Sequence, residues 1–161
     1  MHDVGWSVSV SAVAHIDQGA VVCRSIDCPH LPHVLIEIRR ECPAEEEVAL
    51  MQAVHEALQQ AFRIPAKDRH VRLIVHEPHR FAVPPELAVP ELFVQVSIDA
   101  FAGRSIHAKR ALYREIVQRL EALGIASDHI SVLLRESPRE NWGIRGGQAA
   151  SDVDLGFEVE V

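Results

Sequence analysis

The chain has 161 residues and a mass of 17.9 kDa, which suits one domain with a hydrophobic core and is too short for two ordinary domains. Its composition, 48% hydrophobic and 24% charged, is typical of a globular protein and excludes a disordered or fibrous one. The net charge of -7 and the lack of a clustered basic face argue against nucleic acid as a partner. No apolar run approaches the roughly 20 residues that a membrane-spanning helix needs, so no membrane partner is expected.

Residues 1–31 differ from the rest of the chain, because they carry little charge, alternate only weakly and show no helix signals. The start lacks a basic segment followed by an apolar one, so we predict no signal peptide and expect a cytoplasmic protein. The three cysteines are sparse and odd in number, unlike a disulfide framework. Four potential ligands, Cys23, Cys28, His30 and His33, superficially suggest zinc, but their spacing matches no standard finger, and we predict no metal site.

Secondary-structure signals become clear from Pro32 onward. Residues 34–38 form a short β-type run, and Pro43 followed by three glutamates marks the start of a helix. The apolar stripe of this helix recurs at i+3 and i+4 and comprises Met51, Val54, Leu58 and Phe62. A turn around Pro65 precedes a second predicted strand at 70–77, and the proline-rich stretch behind it predicts a loop.

The same order of elements then repeats. Residues 92–98 predict a strand, Gly103 follows it, and Ser105 can cap a helix that ends at Gly124. The predicted apolar face of this helix comprises Ile106, Leu112, Ile116, Leu120 and Leu123. A further strand is predicted at 130–136, and alternation over 155–161 indicates a half-buried last strand.

This order of elements divides the chain into an N-terminal extension and one domain. The extension is 1–31, and the domain comprises a first repeat at 32–80, a linker at 81–90 and a second repeat at 91–161. Two tandem β-α-β repeats predict an α/β fold with one four-stranded sheet and both helices on one face. An apolar sheet face left bare on the other side should be covered by another copy of the chain, so we predict an oligomer.

The doubled layout carries a resemblance to a known family. Together with the Gly-Arg-Ser segment at 103–105 and the stretch ENWGIRGG at 140–147, it resembles the tautomerase superfamily. Residues 90–152 look like one 4-oxalocrotonate tautomerase subunit, and 32–161 resemble longer fused members such as malonate semialdehyde decarboxylase and cis-3-chloroacrylic acid dehalogenase. The resemblance implies the tautomerase fold, a homotrimer, a small anionic carboxylate as substrate, and no metal or organic cofactor.

The resemblance also implies a catalyst, because the family uses the secondary amine of an N-terminal proline as acid or base. An α-amino group titrates near about 7.7 to 8.0, and an apolar pocket favours its neutral, basic form. Inside a chain the proline nitrogen is an amide, so Pro32 can act only if residues 1–31 are absent. We expect that Leu31 is a translation start read as methionine and then removed. The alternatives are proteolytic removal of the extension, or a retained extension and an inactive site.

Two arginines are candidates for binding the substrate carboxylate. Arg104 matches the arginine that the family uses for this purpose, and a guanidinium at a helix N-terminus suits an anion. Arg72 aligns with a strand arginine of the shorter tautomerases. Strand alternation sets Arg72 on the face opposite Val71 and Leu73, so an exposed structural arginine is an equally good interpretation.

The loop aspartate Asp68 lies where decarboxylase-like members place an aspartate near the proline, able to orient water or to polarise the amine. A simple turn residue is the other interpretation of Asp68. Those members also carry a second arginine two residues before the one that matches Arg104. The chain has Ala102 at that position, which weakens decarboxylation and dehalogenation as specific activities.

The segment at 140–147 supplies the last candidates. Asn141 and Trp142 match a hairpin that helps to line the pocket in the family, and Trp142 could provide an apolar wall or could simply pack. Gly143, Gly146 and Gly147 are predicted to permit positive φ in the turn.

The predicted function is the conversion of enol to keto form in a small 2-oxo acid. Neutral Pro32 takes the enol proton and returns it to carbon, while Arg104 holds the carboxylate. Hydration or decarboxylation of a small three-carbon acid, with Asp68 positioning water, is the nearest alternative. An oligomeric scaffold without catalytic activity, its proline blocked, is the alternative from another class.

Overall fold

A mixed four-stranded sheet organises residues 32–155, the part of the chain that the computed structural model describes. Its strands are β1 (His33–Ile38), β2 (His70–Val75), β3 (Val94–Phe101) and β4 (Ile130–Ser137). The order is β2-β1-β3-β4, with β1 parallel to β2, β3 parallel to β4, and the two inner strands antiparallel. Helices α1 (Ala44–Phe62) and α2 (Ile106–Glu121) form the two crossovers. The predicted fold class is confirmed, whereas the predictions for 1–31 and 156–161 lie outside the described residues.

Helix α1 begins as its sequence predicts. Pro43 occupies the N-cap position, and its carbonyl oxygen accepts a hydrogen bond from the Glu46 amide at 2.9 Å. The side chains of Val54, Leu58 and Phe62 are fully buried on one stripe of the helix. Met51, the fourth member of the predicted stripe, is partly buried against the same core.

The N-terminus of helix α2 also follows the prediction, whereas the predicted apolar face is too long. The Ser105 hydroxyl accepts a hydrogen bond from the Ala108 amide at 3.1 Å, which confirms the predicted cap. The helix ends at Glu121, before the Gly124 that adopts φ of 87° in the turn behind it. Ile106 is 53% exposed and Leu123 39% exposed, because one is the first residue of the helix and the other follows its last turn.

The second repeat starts later than its apolar run predicts. Residues Pro90–Leu92 form a short 3-10 turn, so β3 begins at Val94 rather than at 92. The linker is attached to the domain directly before this turn, because buried His129 accepts a hydrogen bond from the Val89 amide at 3.1 Å. Nδ1 of the same imidazole lies 2.6 Å from an oxygen of Asp128.

The main core lies between the sheet and the two helices. Alternation sends every second residue of the inner strands toward the helices, and Val34, Ile36, Val96 and Ile98 are fully buried there. Each such side chain contributes about 1.5 to 3 kcal/mol through removal of apolar surface from water. Neither helix of the described chain is long and apolar enough to cross a membrane.

The sheet face opposite the helices is mixed rather than wholly apolar as predicted, because polar residues predominate on the inner strands while Ile74 and Leu133 on the outer strands are 44% and 47% exposed. Its inner-strand residues are His33, Leu35, Glu37, Gln95, Ser97, Asp99 and Phe101. The apolar end of this face is covered by the chain itself. Phe101 packs there with Ala150 and Leu155 in a second small core.

A short hairpin contributes to this second core. Its strands are β5 (Gly143–Ile144) and β6 (Gln148–Ala149), which pair antiparallel. Gly146 and Gly147 adopt φ of 78° and 105° in the turn, as predicted. The prediction of positive φ for Gly143 is wrong, because this residue belongs to strand β5.

Candidate functional site

The sheet topology gathers most of the predicted site residues at one end. His33 is in register with His70 and Asp99, and Phe101 with Ser137, so the starts of β1 and β2 meet the ends of β3 and β4. Helix α1 ends and helix α2 begins at this same end of the sheet. Pro32, which is buried, immediately precedes β1, and we call this the Pro32 end of the sheet.

Arg104 is a buried cation at the Pro32 end. Its side chain sits between β3 and α2 and is only 5% exposed. The guanidinium carbon lies 4.9 Å from the centroid of the Phe62 ring, at the end of helix α1. Nε and Nη1 have no hydrogen-bond partner within residues 32–155. Burial lowers the pKa of Arg104, and the charge of Glu136 opposes that shift. Unpaired donors in a buried site are the feature expected where a carboxylate is to bind.

Asp68 is a buried carboxyl group at the same end. Its amide donates a hydrogen bond to the Pro65 carbonyl at 2.9 Å, which closes the turn between α1 and β2. The side chain is 2% exposed, and Oδ1 has no hydrogen-bond partner in the described part of the chain. Burial raises the pKa of Asp68, against the opposing charges of Lys67, His55 and His70. A buried carboxyl with a vacant acceptor can hold a polar group of a ligand or a water molecule.

Trp142 packs on the sheet face that is turned away from the helices. Its ring meets the rings of His33 and Phe101 edge-on, with centroid distances of 5.1 and 5.0 Å. Its indole N–H donates to the Ser137 hydroxyl at 2.7 Å, which fixes the ring at the end of β4. Asn141 is exposed at the end of a short 3-10 turn directly before it.

The structure separates Arg72 from Arg104. Arg72 is exposed and lies on the sheet face opposite the helices, as strand alternation predicts. Arg104 is buried at the start of helix α2. The two arginines therefore lie on different sides of the sheet in the described chain, and substrate binding by Arg72 stays a prediction beside its interpretation as an exposed structural residue.

A cavity next to Arg72 contains residues that the sequence did not single out. It has a volume of about 320 Å³ and is lined by His33, Arg69, His70, Val71 and Arg72. The rings of His33 and His70 meet edge-on at a centroid distance of 4.9 Å. The signal that could have found this pair is the start of both parallel strands at a histidine, which places the two side by side once the strands are in register.

The electrostatics of this pair depend on its neighbours. Burial, then the charges of His70 and Arg72, lower the pKa of His33, while Asp99 acts in the opposite direction. Asp99 is itself bound by Arg135, with Nε 2.7 Å from Oδ1, and this hydrogen bond lowers the pKa of Asp99.

A second pair that the sequence did not reveal lies close to Arg104. The Lys109 ammonium donates to a Glu136 carboxylate oxygen at 2.5 Å, which joins helix α2 to the end of β4. Within residues 32–155, no three His, Cys, Asp or Glu side chains converge as metal ligands would. Three of the four potential zinc ligands lie in the undescribed segment before Pro32.

Comparison with known proteins agrees with this architecture. A sequence model of the tautomerase enzyme family Tautomerase_2 matches residues 68–145, a stretch that includes Asp68, Arg104 and Trp142. No curated protein matches the sequence.

Solved structures match over nearly their whole length. One is the FG41 malonate semialdehyde decarboxylase inhibited by 3-bromopropiolate, with 26% identity, 73% of this chain and 92% of that chain covered, and a TM-score of 0.65. The Q0 fused 4-OT symmetric trimer has 27% identity, coverage of 74% and 97%, and a TM-score of 0.58. A native fused 4-OT, at 18% identity with 76% and 98% covered, shares the fold with a TM-score of 0.68. Together with the doubled β-α-β sheet and the Gly-Arg-Ser segment before α2, these matches show that the chain has the tautomerase fold and resembles the tautomerase superfamily, with the family match lying in residues 68–145.

Proposed function

We propose that this protein is a cofactor-independent tautomerase of a small 2-oxo acid, with Pro32 as its base once this residue is the N-terminus. The observation that carries the proposal is Arg104, a buried guanidinium whose Nε and Nη1 have no hydrogen-bond partner among the described residues. A carboxylate is the complement that such a group lacks. The position of Arg104 at the N-terminus of helix α2 adds favourable potential for an anion.

Arg104 binds and orients the substrate carboxylate in this mechanism. Its two unpartnered N–H groups donate to carboxylate oxygens, and the Phe62 ring holds the guanidinium plane from the other helix. A carboxylate fixed in this way sets the distance between the reacting carbon and the catalytic base.

Pro32 moves the proton. Its neutral amine takes the proton of the enol hydroxyl, the electron pair of that O–H bond forms the carbonyl, and the enol double bond takes a proton from the prolinium at carbon. Burial of Pro32 favours the neutral amine, and a positioned base of this kind contributes about 10² to 10⁴ in rate. The reaction requires that no peptide bond joins Leu31 to Pro32, because an amide nitrogen has no basic lone pair.

Asp68 supports a second candidate function within the superfamily. Its buried carboxyl with an unpartnered Oδ1 suits the positioning of water for hydration, or of substrate for decarboxylation, of a three-carbon acid. The similarity to the FG41 decarboxylase structure favours the same alternative. Ala102, which is exposed where decarboxylase-like members have a second arginine, counts against it.

The proposal includes an assembly and a location. Several similar fused 4-OT structures are trimers, and we infer a cytoplasmic homotrimer for this chain. Trp142 and Asn141 lie on the segment between β4 and β5, where a neighbouring subunit could bring its own pocket against them.

Three preparations of the protein test the mechanism. They are the chain that begins at Pro32, its Pro32→Ala variant, and the full chain that begins at Met1, each verified by intact mass. Enol-to-keto conversion of phenylenolpyruvate should be fastest for the first and at least about 100-fold slower for the other two. Arg104→Gln in the first preparation should raise KM strongly, while Arg110→Gln, an exposed arginine of the same helix, should not.

Two outcomes would contradict the proposal. Equal rates for the chain beginning at Pro32 and for the full chain would show that the proline amine is not the base. No turnover by any of the three, with the trimer intact, would favour the catalytically silent scaffold. The native protein's intact mass decides whether cells produce the form that begins at Pro32.

A further inference from the structure

The ion pair between Lys109 and Glu136 has a third charged neighbour, Arg104. Glu136 continues the helix-facing series of β4 two residues after Leu134, which packs on the main core, so its side chain is on the side of helix α2. The Lys109 amide donates to the Ser105 carbonyl at 3.1 Å, so Lys109 lies one turn beyond the N-cap that follows Arg104. The charge of Glu136 acts on Arg104 as well, so one carboxylate serves the neighbourhood of two cations.

This carboxylate binds the lysine and not the arginine. The Lys109 ammonium donates to Oε2 of Glu136 at 2.5 Å, whereas Arg104 takes part in no ion pair within residues 32–155. The chemistry of the two cations favours the opposite pairing, because a planar guanidinium matches a carboxylate better than an ammonium does. Arg104 is also the more deeply buried cation, at 5% exposure against 23% for the Lys109 side chain. The observed pairing leaves Nε and Nη1 of Arg104 open to an incoming carboxylate.

We propose that Lys109 is a positioning residue of the Arg104 site, which holds Glu136 away from the guanidinium and so keeps the donors of Arg104 available to the substrate carboxylate. The inference rests on the proposed function, since it takes Arg104 as the group that binds substrate. Lys109 contacts no reacting atom and acts only through Glu136. Without the Lys109 ammonium, the Glu136 carboxylate turns to Arg104 and occupies the donors that the substrate needs.

The separation between Glu136 and Arg104 also supports the buried cation. Burial lowers the pKa of Arg104, and the charge of Glu136 opposes that shift. A carboxylate that Lys109 holds nearby stabilises the guanidinium through its field without using its N–H groups. The same carboxylate in direct contact with Arg104 would compete with the substrate. Lys109 therefore decides whether Glu136 supports the site or blocks it.

Enol-to-keto kinetics of the chain that begins at Pro32 test the role of Lys109. Lys109→Met should raise KM for phenylenolpyruvate at least about tenfold and keep kcat within about twofold, because an internal competitor weakens binding and not the chemical step. Lys109→Arg retains a cation for Glu136 and should keep KM within about threefold of the parent value. Lys109→Met combined with Glu136→Gln should restore KM, since the competing carboxylate is then absent. Arg110→Met, which removes the same charge from the exposed next residue of α2, should leave KM unchanged.

A second measurement needs no substrate. In NMR spectra of the full chain, the Nε–H signal of Arg104 should shift in Lys109→Met, because Glu136 becomes its acceptor, and should return to the wild-type position in the double variant. Both the shift and the rise in KM should persist in about 0.5 M NaCl, since a direct contact in a half-buried site is screened much less than a long-range field.

An unchanged Arg104 signal or an unchanged KM in Lys109→Met, in a preparation that converts substrate, would overturn the inference. A KM that stays raised in the double variant would also overturn it, because Lys109 would then contact the substrate itself. Failure of the proposed function gives a different result, namely no turnover by any variant. Movement of the Arg104 signal between Lys109→Met and the double variant would in that case still confirm that Lys109 holds Glu136 away from Arg104.

Discussion

The guanidinium of Arg104 stacks 4.9 Å above the ring of Phe62, so the last residue of helix α1 supports a charge that belongs to the start of helix α2. Phe62 is also a member of the main hydrophobic core. The packing of the first repeat therefore fixes the position of a candidate binding group in the second repeat.

Replacement of Arg104 by methionine should stabilise the fold while it removes carboxylate binding. A buried cation with two unpaired N–H groups is costly, and Met keeps the contact with the Phe62 ring. We expect Arg104→Met to raise the free energy of unfolding in urea by about 1 to 3 kcal/mol. The exposed substitution Arg110→Met is the control and should change it by less than about 0.5 kcal/mol. Destabilisation by Arg104→Met would mean that the guanidinium has a structural partner.

Asp68 should make stability fall as the pH rises. Burial raises the pKa of Asp68 in the folded state, so folding favours the protonated carboxyl. The stability that this group contributes is fully present below the ordinary aspartate pKa of about 3.9 and is lost as the pH rises through the higher pKa of the folded state. The melting temperature of Asp68→Asn relative to wild type should therefore increase with pH across this window. For Asp99→Asn the melting temperature relative to wild type should instead decrease with pH, because the hydrogen bond from Arg135 lowers the pKa of Asp99. Parallel pH profiles for the two variants would contradict the assignment.

The Ser137 hydroxyl should anchor the hairpin through Trp142. Ser137→Ala leaves the indole N–H without its acceptor at 2.7 Å and should cost about 0.5 to 1.5 kcal/mol locally. Amide hydrogen exchange at Ile144 and Ala150 should then accelerate about three- to tenfold, while amides of β1 keep their protection. Exchange that is unchanged in the hairpin would show that the ring contacts with Phe101 and His33 suffice to hold it.

His129 should connect the linker to the second repeat. The imidazole accepts a hydrogen bond from the Val89 amide at 3.1 Å through Nε2, so Nδ1 carries the hydrogen and donates a hydrogen bond to Oδ1 of Asp128. His129→Leu leaves the Val89 N–H unpaired and should lower the free energy of unfolding by about 1 to 3 kcal/mol. Asp128→Asn, which retains an acceptor for Nδ1–H at an exposed position, should cost much less. Equal losses for the two substitutions would assign the stabilisation to the pair of side chains rather than to the linker contact.

Sequence patterns predicted the elements of this fold because they act locally. Prolines, acidic first turns and an N-cap serine mark where helices start, and the stripe through Val54 and Phe62 marks the buried face. The patterns failed where tertiary structure decides the outcome. Ile106 and Leu123 continue the helical spacing, yet they lie at or beyond the ends of α2, where the core no longer reaches them.

The candidate site was predictable only in part, for a similar reason. Arg104 and Asp68 were found through motif positions, but their burial and missing partners are properties of the assembled fold. The juxtaposition of His33 and His70 required the register of two strands separated by a whole helix. No spacing along the chain encodes that neighbourhood.

Because β1 and β3 pair antiparallel at the centre of the sheet, a rotation of 180° would place each β-α-β repeat nearly on the other. The two ends of the sheet are therefore comparable. At the end where helix α1 begins, Arg39 is paired with Glu91 and Arg40 with Glu46. At the Pro32 end, Arg104 has no ion-pair partner in the described chain. Each chain should therefore bind one substrate molecule. The symmetry of the two repeats alone would allow a second, equivalent site at the opposite end of the sheet.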